Sequence, residues 1–405
     1  MSFTVNSSPF KGLGGMNHIE QSFSVRFEYK VFFTSDLFHS SNNLLNNFLK
    51  ELAFAGSIQK ILFVIDEGVA THHPQLLTKI NDYFKKHDTV QLIKDILVIP
   101  GGETAKNDKQ YFDRLVEAVN FHGLDRHSYL TAIGGGAVLD LAGYVAAIAH
   151  RSIRHIRIPS TVLSQNDSGI GVKNGINYFG KKNFLGTFSP PVAVFNDDVL
   201  LTTLSDRDWR AGISEAIKVA LIKDENFFYW IEEHTEELVR RNTAVMNDLI
   251  RRCAELHLQH IASGDPFEKG SSRPLDFGHW SAHKLEQLTN FSVLHGEAVA
   301  MGMALDTMYS SLSGRLSGEK AQRIIQLLLN LGFDITHPLM QIKEKNSPIL
   351  QGLNEFREHL GGQLTIMLLL DIGKGEEVHE MDTELLIKAG EQLKMFRKKE
   401  IGSLS

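Results

Sequence analysis

Through the first half of the chain, apolar runs of strand length alternate with longer stretches whose apolar residues recur at helical spacing. Tyr29–Thr34 (YKVFFT), Lys60–Asp66 (KILFVID), Asp95–Pro100 (DILVIP), Tyr129–Ile133 (YLTAI), His155–Pro159 (HIRIP) and Val192–Asn196 (VAVFN) predict strands, with helices over Pro74–Lys86 and Lys109–His122. Strands alternating with helices predict parallel βαβ units and an open α/β sheet. From Asp197 to about Gly332 the period becomes helical. Ser205 is placed as an N-cap with Asp208 in the first turn, and Trp209–Ile222, Asn242–Ile261, Phe277–Leu288 and Gly296–Leu312 predict helices. One late strand is expected over Leu364–Leu370 (LTIMLLL). The expected organisation is a loose Ser/Asn/Gly-rich arm (1–22), an α/β domain (23–198) and a mainly helical domain (199–405).

Composition narrows the classes. The 405 residues carry 42 Lys+Arg against 48 Asp+Glu, a net charge of −6, with 42% hydrophobic residues. That balance is globular, and it argues against disorder and against nucleic-acid binding by bulk charge. Cys253 is the single cysteine, which excludes an intramolecular disulfide and a Cys-based zinc cluster and fits a reducing cytoplasm. The N-terminal stretch has no apolar signal region, and no apolar run approaches the ~20 residues of a spanning helix.

Two glycine-rich turns follow predicted strands. Gly134-Gly135-Gly136-Ala137-Val138-Leu139-Asp140 opens a predicted helix, where glycines let backbone approach a phosphate and the helix start offers free N–H groups. It is not the GxGxxG fingerprint. Gly101-Gly102-Glu103-Thr104-Ala105-Lys106 adds a carboxylate suited to ribose hydroxyls or adenine and an ammonium suited to phosphate. Each alone reads as an ordinary strand-to-helix turn; together, at two strand ends, they favour a nucleotide.

The helical half holds the candidate chemistry. Glu215 and Lys218 are neighbours three apart on one helix. His279 and His283 share a helix face four apart, and His295 stands at another helix start. Two histidines and a glutamate with an open position make a common catalytic zinc shell, but spacing does not say which two histidines, and 18 histidines will produce chance pairs. Gln165–Lys173, Lys182-Asn183 and Arg151 supply cations and amides that suit a phosphorylated, polyhydroxylated molecule or, equally, a solvated loop.

Seven ordered blocks resemble the 3-dehydroquinate synthase superfamily, the sugar phosphate cyclases: GGETAK (101–106), GGGAVLDLAG (134–143), IPSTVLSQNDSGIGVKNGIN (158–177), GKKNFLGTF (180–188), GISEAIKVALIKD (212–224), LDFGHWSAHKLE (275–286) and LHGEAVAMGM (294–303). The resemblance implies an NAD-binding α/β domain, a helical metal domain, a divalent metal, typically zinc, and a homodimer. It implies Glu215, His279 and His295 as metal ligands, with His283 as an acid/base histidine. It implies NAD contacts at Glu103, Lys106, Gly135, Gly136, Asp140, Ser160 and Thr161. Substrate and catalytic contacts are implied at Asp167, Lys173, Lys182, Asn183 and Lys218, with Arg151 reaching the phosphate across the dimer interface. The implied chemistry is transient oxidation of a ring hydroxyl by NAD, phosphate elimination, return of the hydride and aldol closure, with no net redox change.

The sequence also departs from the family. Where dehydroquinate synthases carry R-x-x-L-N-F-G-H-T, this chain has Ser272-Arg273-Pro274-Leu275-Asp276-Phe277-Gly278-His279-Trp280, so Asp276 replaces an asparagine and the arginine is lost or slips to Arg273. Asp276 would repel a substrate carboxylate. Gly171-Val172-Lys173 replaces GGK. Glu355–Gly362 looks like the epi-valiolone synthase type, which acts on sedoheptulose 7-phosphate, although those enzymes carry proline where His283 stands. The RPLDFGHWSAHKLE stretch looks most like dehydroquinate-synthase homologues of cyclitol-type operons, the Ebo type. The competing expectations are a metal-dependent polyol dehydrogenase, which would release NADH, and a non-catalytic binding protein on the same scaffold.

Overall fold

The computed structural model describes residues 21–403 except 55, 57, 264–265, 268–273, 345 and 360–361. The expected arm therefore lies almost wholly outside the described residues, as does Arg273.

The central feature is a parallel sheet. Its strands are β1 (Lys30–Thr34), β2 (Lys60–Asp66), β3 (Gln91–Leu92), β4 (Leu97–Ile99), β5 (Tyr129–Gly134), β6 (Arg154–Pro159) and, after a hairpin of β7 (Lys173–Tyr178) and β8 (Lys181–Phe188), β9 (Ala193–Asp197). The order is β1-β9-β6-β5-β2-β3, with β4 also pairing β2. Strand β2 shows why its sequence is a continuous apolar run. Ile61, Phe63 and Ile65 pack on one face with the helices Leu44–Glu51 and Leu76–Lys86, while Leu62 and Val64 pack on the other with Lys109–Phe121 and Gly136–Ile148. A parallel strand buried on both faces needs no polar alternation.

Topology locates the crevice. From β2 the chain moves outward to β3 and β4, then returns to β5 on the other side of β2 and continues to β6. The connections leaving β2 and β5 thus run in opposite directions, and ligands of open α/β sheets bind beyond the carboxyl ends of strands at such a point. Both glycine-rich turns lie there, one after β4 and one after β5.

The second half is helical. Ser205 caps Asp206–Ala211 by accepting from the Asp208 N–H, as its position predicts. The stretch read as one helix over Trp209–Ile222 is two, Asp206–Ala211 and Ile213–Lys223, joined at Gly212. A Cβ at Gly212 would lie 2.4 Å from the Leu163 nitrogen, so the chain is pressed against the β6–β7 connection there. The run at 364–370 forms β10 (Ile366–Asp371) in its own antiparallel pair with β11 (Lys374–Val378), outside the large sheet. The β7–β8 hairpin has no apolar alternation strong enough to announce it; KNGINY and KKNFLGTF read as a polar loop. Among the described residues no helix is long and apolar enough to cross a membrane.

Two glycine contacts bring the helices of the second half together. A Cβ at Gly296 would fall 1.9 Å from the Ala211 carbonyl oxygen, and one at Gly302 would fall 2.1 Å from the Gly278 carbonyl oxygen. The helix His295–Leu312 therefore crosses its neighbours at backbone distance. Gly302→Ala is expected to lower stability by about 1–3 kcal/mol through overpacking, read as a lower urea midpoint; an unchanged midpoint would contradict so close a crossing.

Candidate active site

The nucleotide-side residues gather at the carboxyl ends of β2, β4, β5 and β6. Gly135 caps the Gly136–Ile148 helix without a side-chain hydrogen bond, so the first N–H groups of that helix carry no side-chain cap. Gly136 lets the Ser168 side chain approach: a Cβ there would lie 2.6 Å from Ser168 Oγ, which would have to shift. Ser160 is buried and its N–H donates to the Gly134 carbonyl, while Thr161 Oγ1 pairs with Ser164 Oγ. Lys106 is buried and bonds Asp140 Oδ2 at 2.7 Å and Asn183 Oδ1. Glu103 accepts from Asn177 Nδ2 at 2.6 Å. Asp66, at the end of β2, was not singled out from sequence. It accepts from the Gly68 N–H, and a Cβ at Gly101 would lie 2.3 Å from its Oδ2. Its position at the end of an apolar strand beside the topological switch was the available signal.

The second cluster surrounds Glu215, which is wholly buried. Lys218 forms an ion pair with it, as the three-residue spacing allows. His295 Nε2 lies 3.5 Å and His279 Nε2 3.8 Å from the same Glu215 oxygen, Oε1. Ligating nitrogens of His279, His283 and His295 all fall within 4.8 Å of one another. The tautomers follow from the partners. His279 Nδ1 is 3.1 Å from the Phe277 carbonyl and His295 Nδ1 is 3.0 Å from Glu286 Oε2. Both partners are acceptors, so each Nδ1 carries hydrogen and each Nε2 faces Glu215. Neither Glu215 oxygen has a well-formed hydrogen bond among the described residues. A buried carboxylate that pairs with Lys218 through Oε2 and turns Oε1 toward two imidazole nitrogens fits a divalent cation with nitrogen and oxygen ligands.

The charges sustain one another. Burial alone would raise the Glu215 carboxyl, but Lys218 and then His295 hold it well below the ordinary range. Burial would lower Lys218, and Glu215, Asp167 and Asp276 together bring it up to about 12. His283 is driven well below its ordinary value by burial, then by His279 and Lys182, and is neutral. For His295, burial is outweighed by Glu286 and Glu215, which raise it to about 9.

The loop after β6 joins the two clusters. Gln165 Nε2 donates to the carbonyls of Pro159 and Asp197, and Asn166 Nδ2 donates to Gly212 O, just before Glu215. Arg157, fully buried in β6, donates to the carbonyls of Gly169, Gly171 and Lys173 and to Asn174 Oδ1. The segment carrying Asp167 and Lys173 is thereby fixed to the sheet. Asp167 lies 2.9 Å from His257 Nδ1, a residue with no sequence signal. On the hairpin, Lys182 bridges Glu286 at 2.9 Å and Glu103 at 3.4 Å, linking both halves of the chain. Glu286 lay within a quoted motif without a role; its position seven residues after His279 on one helix face was the usable clue. Asp276 closes the turn Pro274–Asp276.

Arg151 is not brought to this cluster. It follows the far end of the Gly136–Ile148 helix, about 20 Å from Gly136 at 1.5 Å per residue, and lines a surface pocket with Arg126, His127 and His150. His150, Arg151 and Ser152 have φ of +49°, +59° and +104°, three successive non-glycine residues held in a costly conformation.

Family models for the 3-dehydroquinate synthase N-terminal and C-terminal domains match residues 96–211 and 212–351. The chain belongs to the 3-dehydroquinate synthase family. A 3-dehydroquinate synthase of Nitrosospira multiformis is 37% identical over 279 residues, 69% of this chain and 75% of that one. The 2-epi-5-epi-valiolone synthase ValA of Streptomyces hygroscopicus, solved with NAD+ and Zn2+ bound, superposes with a TM-score of 0.82 at 28% identity, over 93% of this chain and 99% of that one. A 2-deoxy-scyllo-inosose synthase shares the fold at 22% identity and a TM-score of 0.72, over 88% and 95% of the two chains. The family resemblance read from the seven motifs is thus correct.

For a member of this family, the proton on His295 has a measurable consequence. If His295 is a ligand, a metal entering beside Glu215 would displace that proton, which is held up to a pKa of about 9. Zn2+ affinity is therefore expected to rise about tenfold per pH unit toward 9 and then level off. A raised folded pKa means that charged His295 stabilises the metal-free fold in full below 6.5 and ceases to do so as pH rises through about 9. Affinity that stays flat from neutrality to pH 9 would remove His295 from the ligand set.

Proposed function

We propose that this chain is an NAD- and divalent-metal-dependent sugar phosphate cyclase, a carbon–oxygen lyase that eliminates phosphate from a heptulosonate or heptulose phosphate and closes a carbocycle. The observation that carries the reading is the buried Glu215 carboxylate, paired with Lys218 and facing the Nε2 atoms of His279 and His295 with its other oxygen, with Asp167 beside Lys218. The ValA structure, with its NAD+ and Zn2+, supports the same pair of cofactors here.

When bound, NAD would supply reversible hydride transfer and the divalent metal, typically zinc, would supply the charge that polarises the reacting oxygen. Glu215, His279 and His295 hold the metal. Asp66, Glu103, Lys106, Gly135, Gly136, Asp140, Ser160 and Thr161 form the nucleotide cradle. Lys218, protonated throughout the working range, holds a ring oxygen in place. Burial and Glu215 push Asp167 up, but Lys218 and His257 outweigh them, so its ionised carboxylate accepts from a substrate hydroxyl. Neutral His283 takes a proton on a free ring nitrogen. Lys173, Lys182 and Asn183 bind the phosphorylated end.

The charge of Asp276 reaches Lys218 and favours a substrate without a carboxylate, so sedoheptulose 7-phosphate is the preferred candidate over the heptulosonate phosphate. Phosphate release from both, with products identified by mass, tests this. Carbocycle formation from the heptulose phosphate is expected, and Asp276→Asn should raise turnover of the heptulosonate phosphate. Net NADH formation from a simple polyol would indicate a dehydrogenase instead. Loss of both cofactor binding and turnover would indicate a binding protein.

Arg151 stands far from the cluster of its own chain, and the working unit is a homodimer in which it reaches the phosphate of the other subunit. Mixing inactive Arg151→Ala and Lys218→Ala proteins is expected to restore part of the activity in hybrids; full activity of Arg151→Ala alone would sink this arrangement.

A further inference from the structure

Asp306 is fully buried in the helix His295–Leu312, about three turns beyond His295. In that helix Met303, Ala304 and Leu305 are buried with it, and the buried hydroxyl residues Thr307 and Ser310 follow it, Ser310 Oγ bonding the Asp306 carbonyl and not its carboxylate. A carboxylate is expensive at such a place, and an aliphatic side chain would fill it with less penalty. What the carboxylate adds is a pair of hydrogen bonds. Oδ2 accepts from the Gly278 N–H at 3.1 Å and Oδ1 accepts from Trp280 Nε1 at 2.9 Å. Those donors stand on either side of His279.

The first bond reaches His279 through a rigid unit. The Gly278 N–H and the Phe277 carbonyl belong to one planar peptide group. That carbonyl accepts from His279 Nδ1 at 3.1 Å. Fixing the N–H therefore fixes the carbonyl, which sets the imidazole plane and aims Nε2 at Glu215 Oε1. Gly278 has φ of +77°, and a Cβ there would meet the Met303 nitrogen at 2.6 Å, so the peptide sits directly on the helix that supplies Asp306. The Trp280 bond ties down the opposite flank.

We infer that Asp306 is a positioning residue for His279, holding the Phe277–Gly278 peptide and Trp280 so that the imidazole presents Nε2 to the metal. The inference rests on His279 being a ligand, as proposed above. It also couples two ligands, because Asp306 and His295 share a helix.

The test reads metal binding without turnover. The full-length protein is stripped of metal and titrated with Co2+ and, by chelator competition, with Zn2+; melting temperature is recorded alongside. Asp306→Asn keeps the shape but turns an NH2 toward one of the two donors. It is expected to weaken both metals about 10–100-fold and to change the visible Co2+ absorption, which reports ligand geometry. Trp280→Phe removes a single donor and should give a smaller loss with a spectral change of the same kind. If Asp306→Asn does not fold, Trp280→Phe decides alone. Unchanged affinity and an unchanged Co2+ spectrum, whatever happens to the melting temperature, overturn the inference while leaving the proposed function standing. A wild-type protein that takes up neither metal overturns the ligand reading itself, and this inference with it.

Discussion

An ionised carboxylate removed from water needs cations or polarised hydrogens around it, and Glu215 makes that demand at the centre of this protein. Lys218 answers from the next helical turn and His295 from another helix, while His279 turns a bare Nε2 toward the same carboxylate. Each answer makes a further demand. His295 in turn leans on Glu286, which is met by Lys182 from the hairpin, which also faces Glu103 at the end of the sheet. A single chain of alternating charge thus runs from the buried helical core to the nucleotide-side crevice.

That chain of charge exists only because backbones approach closely. Glycine at 296 seats the start of the His295 helix on Ala211, and glycine at 302 seats its middle on Gly278. On the sheet side, Gly101 and Gly136 leave room for Asp66 and Ser168. Arg157 contributes differently, by gathering three carbonyls of the loop that carries Asp167 and Lys173.

Much of the fold was legible along the chain. Fully buried parallel strands are continuous apolar runs, so β2, β4, β5, β6 and β9 stand out, and Ser205 caps where its spacing places it. The hairpin was not legible, because strands that face solvent on a polar ribbon lack both an apolar run and clean alternation. Nor was the break at Gly212, which answers to a contact with Leu163 rather than to local propensity. In the site, Glu215 with Lys218 could be read from helical spacing. His257 and Asp306 could not, since their partners lie far away along the chain.

By itself the sequence determined the α/β class, the family, and the residues able to donate, accept or ligate, because periodicity and motif order are local properties. Tertiary structure alone decided which nitrogen of each histidine faces Glu215, since that depends on the Phe277 carbonyl and the Glu286 carboxylate beneath them. It alone set the protonation of His295, raised by carboxylates from two other positions in the chain. It also set Arg151 apart from the cluster of its own chain, because the Gly136–Ile148 helix carries the chain to the opposite end of the sheet. Charge, tautomer and distance are set by neighbours in space, and the linear order of residues does not contain them.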